Sequence, residues 1–232
     1  MKLKLYLDEI NESINDIGIL KAVFMIGSPG SGKSYVLHQI SSGRIPARIV
    51  NTDKFFEFFG NSPAFKDKSI QLTTSQLTNY LNSMLPLFID STSSNPNNLI
   101  RRKGLLESIG YDVAAVFVRT DLDQAIARVH QRERKVPTDF IIKVHNQIEG
   151  LKDFYKGHFS TYYEVSNNDG ELTNAAVLSA FKKVSHFFLE PIHNPLGKNL
   201  VERMVAAKEK YVSPNIYSVD YLRTLVSVWY SK

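Results

Sequence analysis

The chain has 232 residues, 28 Lys and Arg against 23 Asp and Glu for a formal charge of +5, and no cysteine. That length suits one domain, or one domain with an extension, and is ample for a sizeable core. A hydrophobic share of 43% with 22% charged residues excludes wholesale disorder and fibrous repeats, and the missing cysteines exclude disulfides, zinc ribbons, thiolate nucleophiles and Cys-ligated clusters.

Leu3, Leu7, Ile10 and Ile14 stand at helical spacing among acids, which predicts an amphipathic helix over about 3–17. Asp8 and Glu9 interrupt the start before an apolar run of signal-peptide length develops. The longest apolar runs, 22–26 and 113–118, are strand-sized and too short for a membrane span. A cytoplasmic protein is expected. Residues 22–26 read as a buried strand closed by glycine and 33–41 as a helix. Residues 48–50 and 87–90 follow as short strands, with a mostly helical stretch over 66–84 between them that carries Leu77, Tyr80, Leu81 and Met84 on one face. A helix is expected over 97–109, ending at Gly110, then the longest strand signal at 113–118. Thr120-Asp121-Leu122-Asp123 has the form of a capping box leading into a helix that carries Leu122, Ala125, Ile126 and Val129. A fifth strand at 162–165 and a helix over about 172–188 complete an alternation that calls for parallel pairing and an α/β sandwich.

From Pro191 the texture changes. A loop rich in Pro, His and Asn leads into a basic amphipathic helix at 198–210, and the tail is apolar through Trp229. Residues 1–190 are therefore read as one domain and 191–232 as a helical C-terminal extension packed on its core, since such an end is costly to leave in water.

Gly27-Ser28-Pro29-Gly30-Ser31-Gly32-Lys33-Ser34 matches GxxxxGK[ST], a match expected by chance in this length on the order of 1% of the time. It directly follows a buried strand and opens a helix, the context its mechanism demands. Glycines let successive backbone N–H groups turn toward phosphate oxygens, and the helix N-terminus adds partial positive charge. Lys33 would reach the β- and γ-phosphates of ATP or GTP, and the Ser34 hydroxyl would ligate Mg2+. The strand at 87–90 delivers Asp90 at its C-terminal edge, a second candidate for the metal, directly or through water, with Ser91 and Thr92 placed to assist.

Asn51-Thr52-Asp53 sits just past the second strand. Asp53 is either a base facing the γ-phosphate from the acceptor side or part of an Asx turn capping the next segment. The aromatic run Phe55-Phe56-Glu57-Phe58-Phe59 either walls an acceptor pocket or belongs to the core, and core is expected for most of its rings. Arg128 and Arg132, four apart, followed by Arg134 and Lys135 before Val136-Pro137, suit a lid over 128–137 that closes on the triphosphate; the alternative is a solvated charged face. Asn167, Asn168 and Asp169 either seat a base or form a polar turn. The six histidines show no paired spacing for zinc.

The set made of 27–34, Asn51-x-Asp53, 87–92, Gly110-Tyr111-Asp112-Val113 and Arg128-x3-Arg132-x-Arg134-x-Val136-Pro137 resembles the polynucleotide kinase and zeta-toxin branch of phosphate-loop kinases, and is closest to its phage-type members. The resemblance covers roughly residues 20–170. It implies a three-layer α/β P-loop kinase fold, with a five-stranded parallel sheet of order 2-3-1-4-5 and helices on both faces, and γ-phosphoryl transfer to a hydroxyl. It also implies that Asp53 activates the acceptor and that Arg132 contacts the β/γ-phosphates. Kinases of the polynucleotide type carry an arginine three residues after that aspartate, whereas this chain has Phe56.

Three functions follow as expectations. The first is a kinase acting on a nucleotide or nucleic acid, at a 5′-hydroxyl end or a hydroxymethylated base in DNA; the Arg101-Arg102-Lys103 cluster and the basic helix at 198–210 favour it. The second is a kinase of a small metabolite or sugar nucleotide, favoured by Phe56. The third is a nucleotide-binding switch or assembly ATPase.

Overall fold

A computed structural model describes residues 18–41, 46–90, 93–131, 136–168, 174–209 and 217–230. The helix expected over 3–17 lies outside these, as do Ser91, Thr92, Arg132, Arg134, Lys135 and Asp169.

Five strands, β1 (Lys21–Ile26), β2 (Arg48–Val50), β3 (Leu87–Asp90), β4 (Asp112–Arg119) and β5 (Thr161–Ser166), form one sheet. All neighbours run parallel in the order β2-β3-β1-β4-β5. Side chains alternate between its faces with period two. Ala22, Phe24 and Ile26 of β1 join Val113, Ala115 and Phe117 of β4 in one core, while Val23 and Met25 join Ala114, Val116 and Val118 in a second. Continuous apolar runs such as 22–26 are what a strand covered on both faces requires.

The second core is covered by α1 (Lys33–Ser41) through Val36, Leu37 and Ile40, and by α8 (Asn174–Leu189) through Val184, Phe187 and Phe188. On the first face lie α3 (Lys66–Asn82), α4 (Pro96–Glu107), α6 (Thr138–Gly150), α7 (Lys152–His158), α9 (Pro195–Glu209) and α10 (Val219–Tyr230). Two shorter helices, α2 (Thr52–Phe58) and α5 (Leu122–His130), follow β2 and β4 at the sheet edge. The result is the expected three-layer sandwich. No helix among the described residues is long and apolar enough to cross a membrane.

Both helices beyond Pro191 belong to the first core. Leu200 and Met204 of α9 and Leu222, Leu225, Val226 and Trp229 of α10 are buried in it. The Trp229 ring stacks on Phe24 of the central strand, centroids 6.1 Å apart and planes at 12°, and Phe159 meets Phe24 edge-on. An aromatic pair of this kind adds about 0.5–1.5 kcal/mol beyond its buried area. At the opposite edge of the sheet the Lys21 ammonium is buried against Asp112 at 2.8 Å and also donates to the Pro191 carbonyl. The same carboxylate accepts the backbone N–H groups of His193 and Asn194, so one ion pair ties β1, β4 and the start of the extension together.

Several local expectations are corrected. The aromatic run after β2 is not core: it forms α2, no residue of which is buried, and Phe58 is 82% exposed. Its apolar rings gather among themselves and with Phe65 (Phe59 to Phe65, 5.0 Å). The capping box before α5 is not formed. The helix begins after Asp121 without a side-chain cap, because the Thr120 hydroxyl donates instead to the Asn167 carbonyl and to Asn168 Oδ1. Helix α3 stops at Asn82, so Met84, buried with Leu77 and Leu81, lies in the turn beyond it.

Candidate active site

A parallel sheet sends all its strand C-termini to one edge. Here that edge collects Gly27 after β1, Asn51 after β2, Asp90 ending β3, Thr120 after β4 and Asn167 after β5. Val50 and Ile89 are partnered across β2 and β3, and Met25 and Asp90 across β1 and β3. This register brings Asn51, Asp90 and the phosphate loop together.

Residues 27–34 form the expected loop at the N-terminus of α1. Gly30 and Gly32 have φ of +81° and +80°, a region L side chains rarely adopt. A Cβ at Gly30 would run into the Ala125 carbonyl, and one at Gly32 into Asn167 Nδ2. Gly27, Ser28, Gly30 and Ser31 are buried and Pro29 and Gly32 half-buried, and the Ser31 hydroxyl is buried without a hydrogen-bond partner. An orphaned hydroxyl buried in a glycine-bent loop at a helix N-terminus fits an anion with several acceptor oxygens. Lys33 Nζ donates to the Gly27 and Ser28 carbonyls at 2.8 and 3.0 Å, which holds its ammonium across the mouth of the loop.

Three side chains from distant parts of the chain fix the loop. Asn167 is buried and donates from Nδ2 to the Ser31 carbonyl at 2.6 Å. Its neighbour Asn168 accepts at Oδ1 from the Asp121 N–H at 2.8 Å. Asn167 thus braces the loop, a role that neither the base-seat nor the polar-turn reading of these residues contained. Arg128 on α5 reaches the Gly30 carbonyl at 3.5 Å and bonds Thr120 Oγ1 and Gln124. His145 of α6 is buried, with Nδ1 3.1 Å from the Ser28 hydroxyl. Nothing in the spacing of the histidines pointed to this contact, which spans 117 residues and depends on how α6 packs.

On the other side of the loop, Ser34 Oγ donates to Asp90 Oδ2 at 3.1 Å, and Asn51 Nδ2 donates to the same oxygen at 2.9 Å. Asn51 also caps α2, its Oδ1 accepting the Asp53 N–H at 2.8 Å. The cap is therefore Asn51, and the Asp53 carboxylate is left exposed. Ser34 and Asp90 present two hard oxygens beside the loop. That donor set suits Mg2+, which takes few protein ligands and keeps water and phosphate oxygens in its shell.

Asp53 and Asp90 both line a cavity of about 530 Å³. Its walls come from Thr52 and Phe56 of α2, Lys66, Ser69 and Ile70 of α3, Arg102 of α4, and Trp229 and Tyr230 of α10. Of the two roles open to the α2 aromatics, a pocket wall holds for Phe56. Burial pulls the Arg102 guanidinium below its usual range and pushes the Tyr230 phenol up. The Tyr230 hydroxyl lies 3.3 Å from Thr52 Oγ1. Trp229 and Tyr230 had no site signal in the sequence, and Arg102 only that of a basic triplet, because their place in the site depends on the extension folding back over α3 and α4. The basic triplet does not form one patch: Lys103 pairs with Glu107 at 2.6 Å, Arg101 bonds Asn98, and Arg102 turns to Trp229.

The backbone is similar to solved P-loop kinase structures. A putative kinase from Chloroflexus aurantiacus superposes with a TM-score of 0.53 at 15% identity, over 71% of this chain and 98% of its own. A chain of the Pnkp1/Rnl/Hen1 RNA repair complex superposes with a TM-score of 0.51 at 20% identity, over 61% of this chain. The alignment spans about half, 48%, of that larger chain. No curated protein matches the sequence. Residues 23–151, from the middle of β1 through the end of α6, match the AAA domain family, and by that match, which takes in the phosphate loop, Asp53, Asp90 and His145, the protein belongs to this family.

Proposed function

We propose that the protein is a kinase that transfers the γ-phosphate of ATP, or GTP, to a hydroxyl of a nucleotide or nucleic acid, such as a 5′-hydroxyl end or a hydroxymethylated base in DNA. The observation that carries this reading is the continuity of the site: the phosphate loop, Ser34 with Asp90, and the cavity holding Asp53 adjoin along one sheet edge. A switch or assembly ATPase needs no second cavity lined by a carboxylate next to the loop.

In this reading the loop amides, the Ser31 hydroxyl and Lys33 hold the triphosphate, and Lys33 exchanges its carbonyl partners for phosphate oxygens. Ser34 and Asp90 would hold Mg2+, which when bound neutralises charge on the β- and γ-phosphates. Asp53 accepts the acceptor's hydroxyl proton as the new O–P bond forms and the bond to the β-phosphate oxygen breaks, releasing ADP. Arg128, Arg132 and Arg134 serve the triphosphate from the lid. Residues 1–190 act as the kinase domain and 191–232 as the extension that closes the acceptor side. By its resemblance the chain falls in the polynucleotide kinase and zeta-toxin branch, phage type, working in the cytoplasm.

A second reading, a kinase of a small metabolite or sugar nucleotide, draws on the cavity: about 530 Å³ walled by Phe56, Trp229 and Tyr230 holds one small molecule. The test is incubation with γ-labelled ATP and a panel of oligonucleotides, nucleosides and phosphorylated sugars. Label on an oligonucleotide or nucleoside supports the first reading, and label on a sugar unaffected by added DNA supports the second. ATP hydrolysis with no labelled acceptor overturns both.

A further inference from the structure

We infer that the C-terminal helix α10 builds an anion clamp into the acceptor cavity, centred on Arg102, so that the acceptor alcohol carries a phosphate or carboxylate group as well as the reacting hydroxyl. This deepens the kinase reading above and rests on it for the word acceptor.

Arg102 lines the cavity that Asp53 and Asp90 line. Its Nε donates to the Trp229 carbonyl at 3.0 Å, and its guanidinium carbon lies 5.4 Å from the ring centroids of both Trp229 and Tyr230. These contacts hold the side chain in one place and use one of its five N–H donors. Among the described residues no carboxylate pairs with it, and no hydrogen bond takes its Nη groups. A cation–π contact offsets only a small part of what withdrawing an ion from water costs. The aromatic faces alone leave the charge under-compensated, in keeping with the downward pull that burial exerts on it. The unused part of the fork matches the two oxygens of a phosphate or carboxylate. Lys66, exposed at the same cavity, adds a second positive charge. The neutral wall made by Phe56, Trp229 and Ile70 suits the apolar body of such a molecule.

The extension thus supplies part of the site. The main chain of α10 orients the arginine, and its last ring reaches Thr52, next to Asp53.

Trp229 is the single tryptophan of the chain, so its fluorescence reports on this cavity. With ADP and Mg2+ saturating the phosphate loop, the full chain is titrated with inorganic phosphate and, separately, with acetate. A saturable change is expected for at least one of them, and the tighter of the two tells which oxyanion the clamp prefers. In Arg102→Met the Kd for that anion rises about tenfold or more, the loss of a charge-assisted bidentate contact. Arg102→Lys, which keeps the charge but not the fork, lies between, and ATP affinity stays within about twofold in both folded variants. No saturable response from the wild-type chain, or the same Kd in Arg102→Met, overturns the inference. The transfer assay separates the two readings. Efficient phosphorylation of uncharged alcohols by wild type and Arg102→Met alike removes the clamp and leaves the kinase. Anion binding lost in Arg102→Met, in a protein that labels no acceptor, keeps the clamp and removes the kinase.

Discussion

Asp53→Asn isolates the proposed acceptor base. Asp53 is exposed, its backbone N–H is held by Asn51 rather than by its own side chain, and its carboxylate makes no ion pair among the described residues. The amide has nearly the same shape, so stability should change by no more than about 0.5 kcal/mol, as for other surface substitutions. The phosphate loop, Ser34 and Asp90 do not contact Asp53 through any hydrogen bond between side chains, so nucleotide affinity should hold within about twofold. An amide cannot take the hydroxyl proton. Loss of a general base costs about 10²–10⁴-fold in the transferred step, or about 2.7–5.4 kcal/mol at 1.36 kcal/mol per decade. The assay follows labelled acceptor and free phosphate separately, with ATP binding measured by calorimetry. Transfer should collapse while binding persists. Unchanged transfer, or a parallel loss of ATP affinity, would refute the assignment.

Lys33→Ala should abolish both ATP hydrolysis and transfer while the fold survives, since Lys33 is not a core residue and its bonds to the Gly27 and Ser28 carbonyls stay within the loop; retained turnover in either assay contradicts its role. His145→Phe leaves the buried Ser28 hydroxyl without its partner, at a cost of about 1–3 kcal/mol. Its effect should appear in thermal stability and in a raised KM for ATP more than for the acceptor. Asp112→Asn strips the counter-charge from the buried Lys21 and should destabilise by about 3–5 kcal/mol at pH 7. Burial alone would raise the Asp112 carboxyl, but the hydrogen bond from Lys21, the backbone N–H groups of His193 and Asn194 and the Lys21 charge together hold it below the ordinary range. Its contribution is therefore complete above the usual aspartate pKa and disappears as pH falls through the lowered value. Chemical denaturation from pH 7 down to about pH 2 should show this acid loss in the wild-type chain and not in the variant.

The elements most legible from sequence were those whose signal is local. An apolar run bounded by glycine marked β1, and the match to GxxxxGK[ST] located a loop whose glycines are demanded by its own φ angles and by the Ala125 and Asn167 atoms beside it. The runs at 48–50 and 87–90 and the helix at 33–41 end where expected, because their boundaries are set by turn residues and by Asp90 at a strand end. The helix pair over 138–158 carries no clear sequence signal, and the run in α2 differs from expectation: apolar rings on consecutive positions look like core, yet among the described residues no element covers Phe58, which is 82% exposed.

By itself the sequence determined the alternation of strands and helices, the phosphate loop and the carboxylates at strand ends, since each depends on residues within a few positions of one another. The tertiary structure decided what surrounds them. His145 meets Ser28 across 117 residues, Asn167 meets Ser31 across 136, and Arg102 meets Trp229 across 127. Contacts at such separations follow from which apolar faces pack together, and here it was the burial of α10 against Phe24, α3 and α4 that turned an apolar tail into a wall of the candidate acceptor cavity.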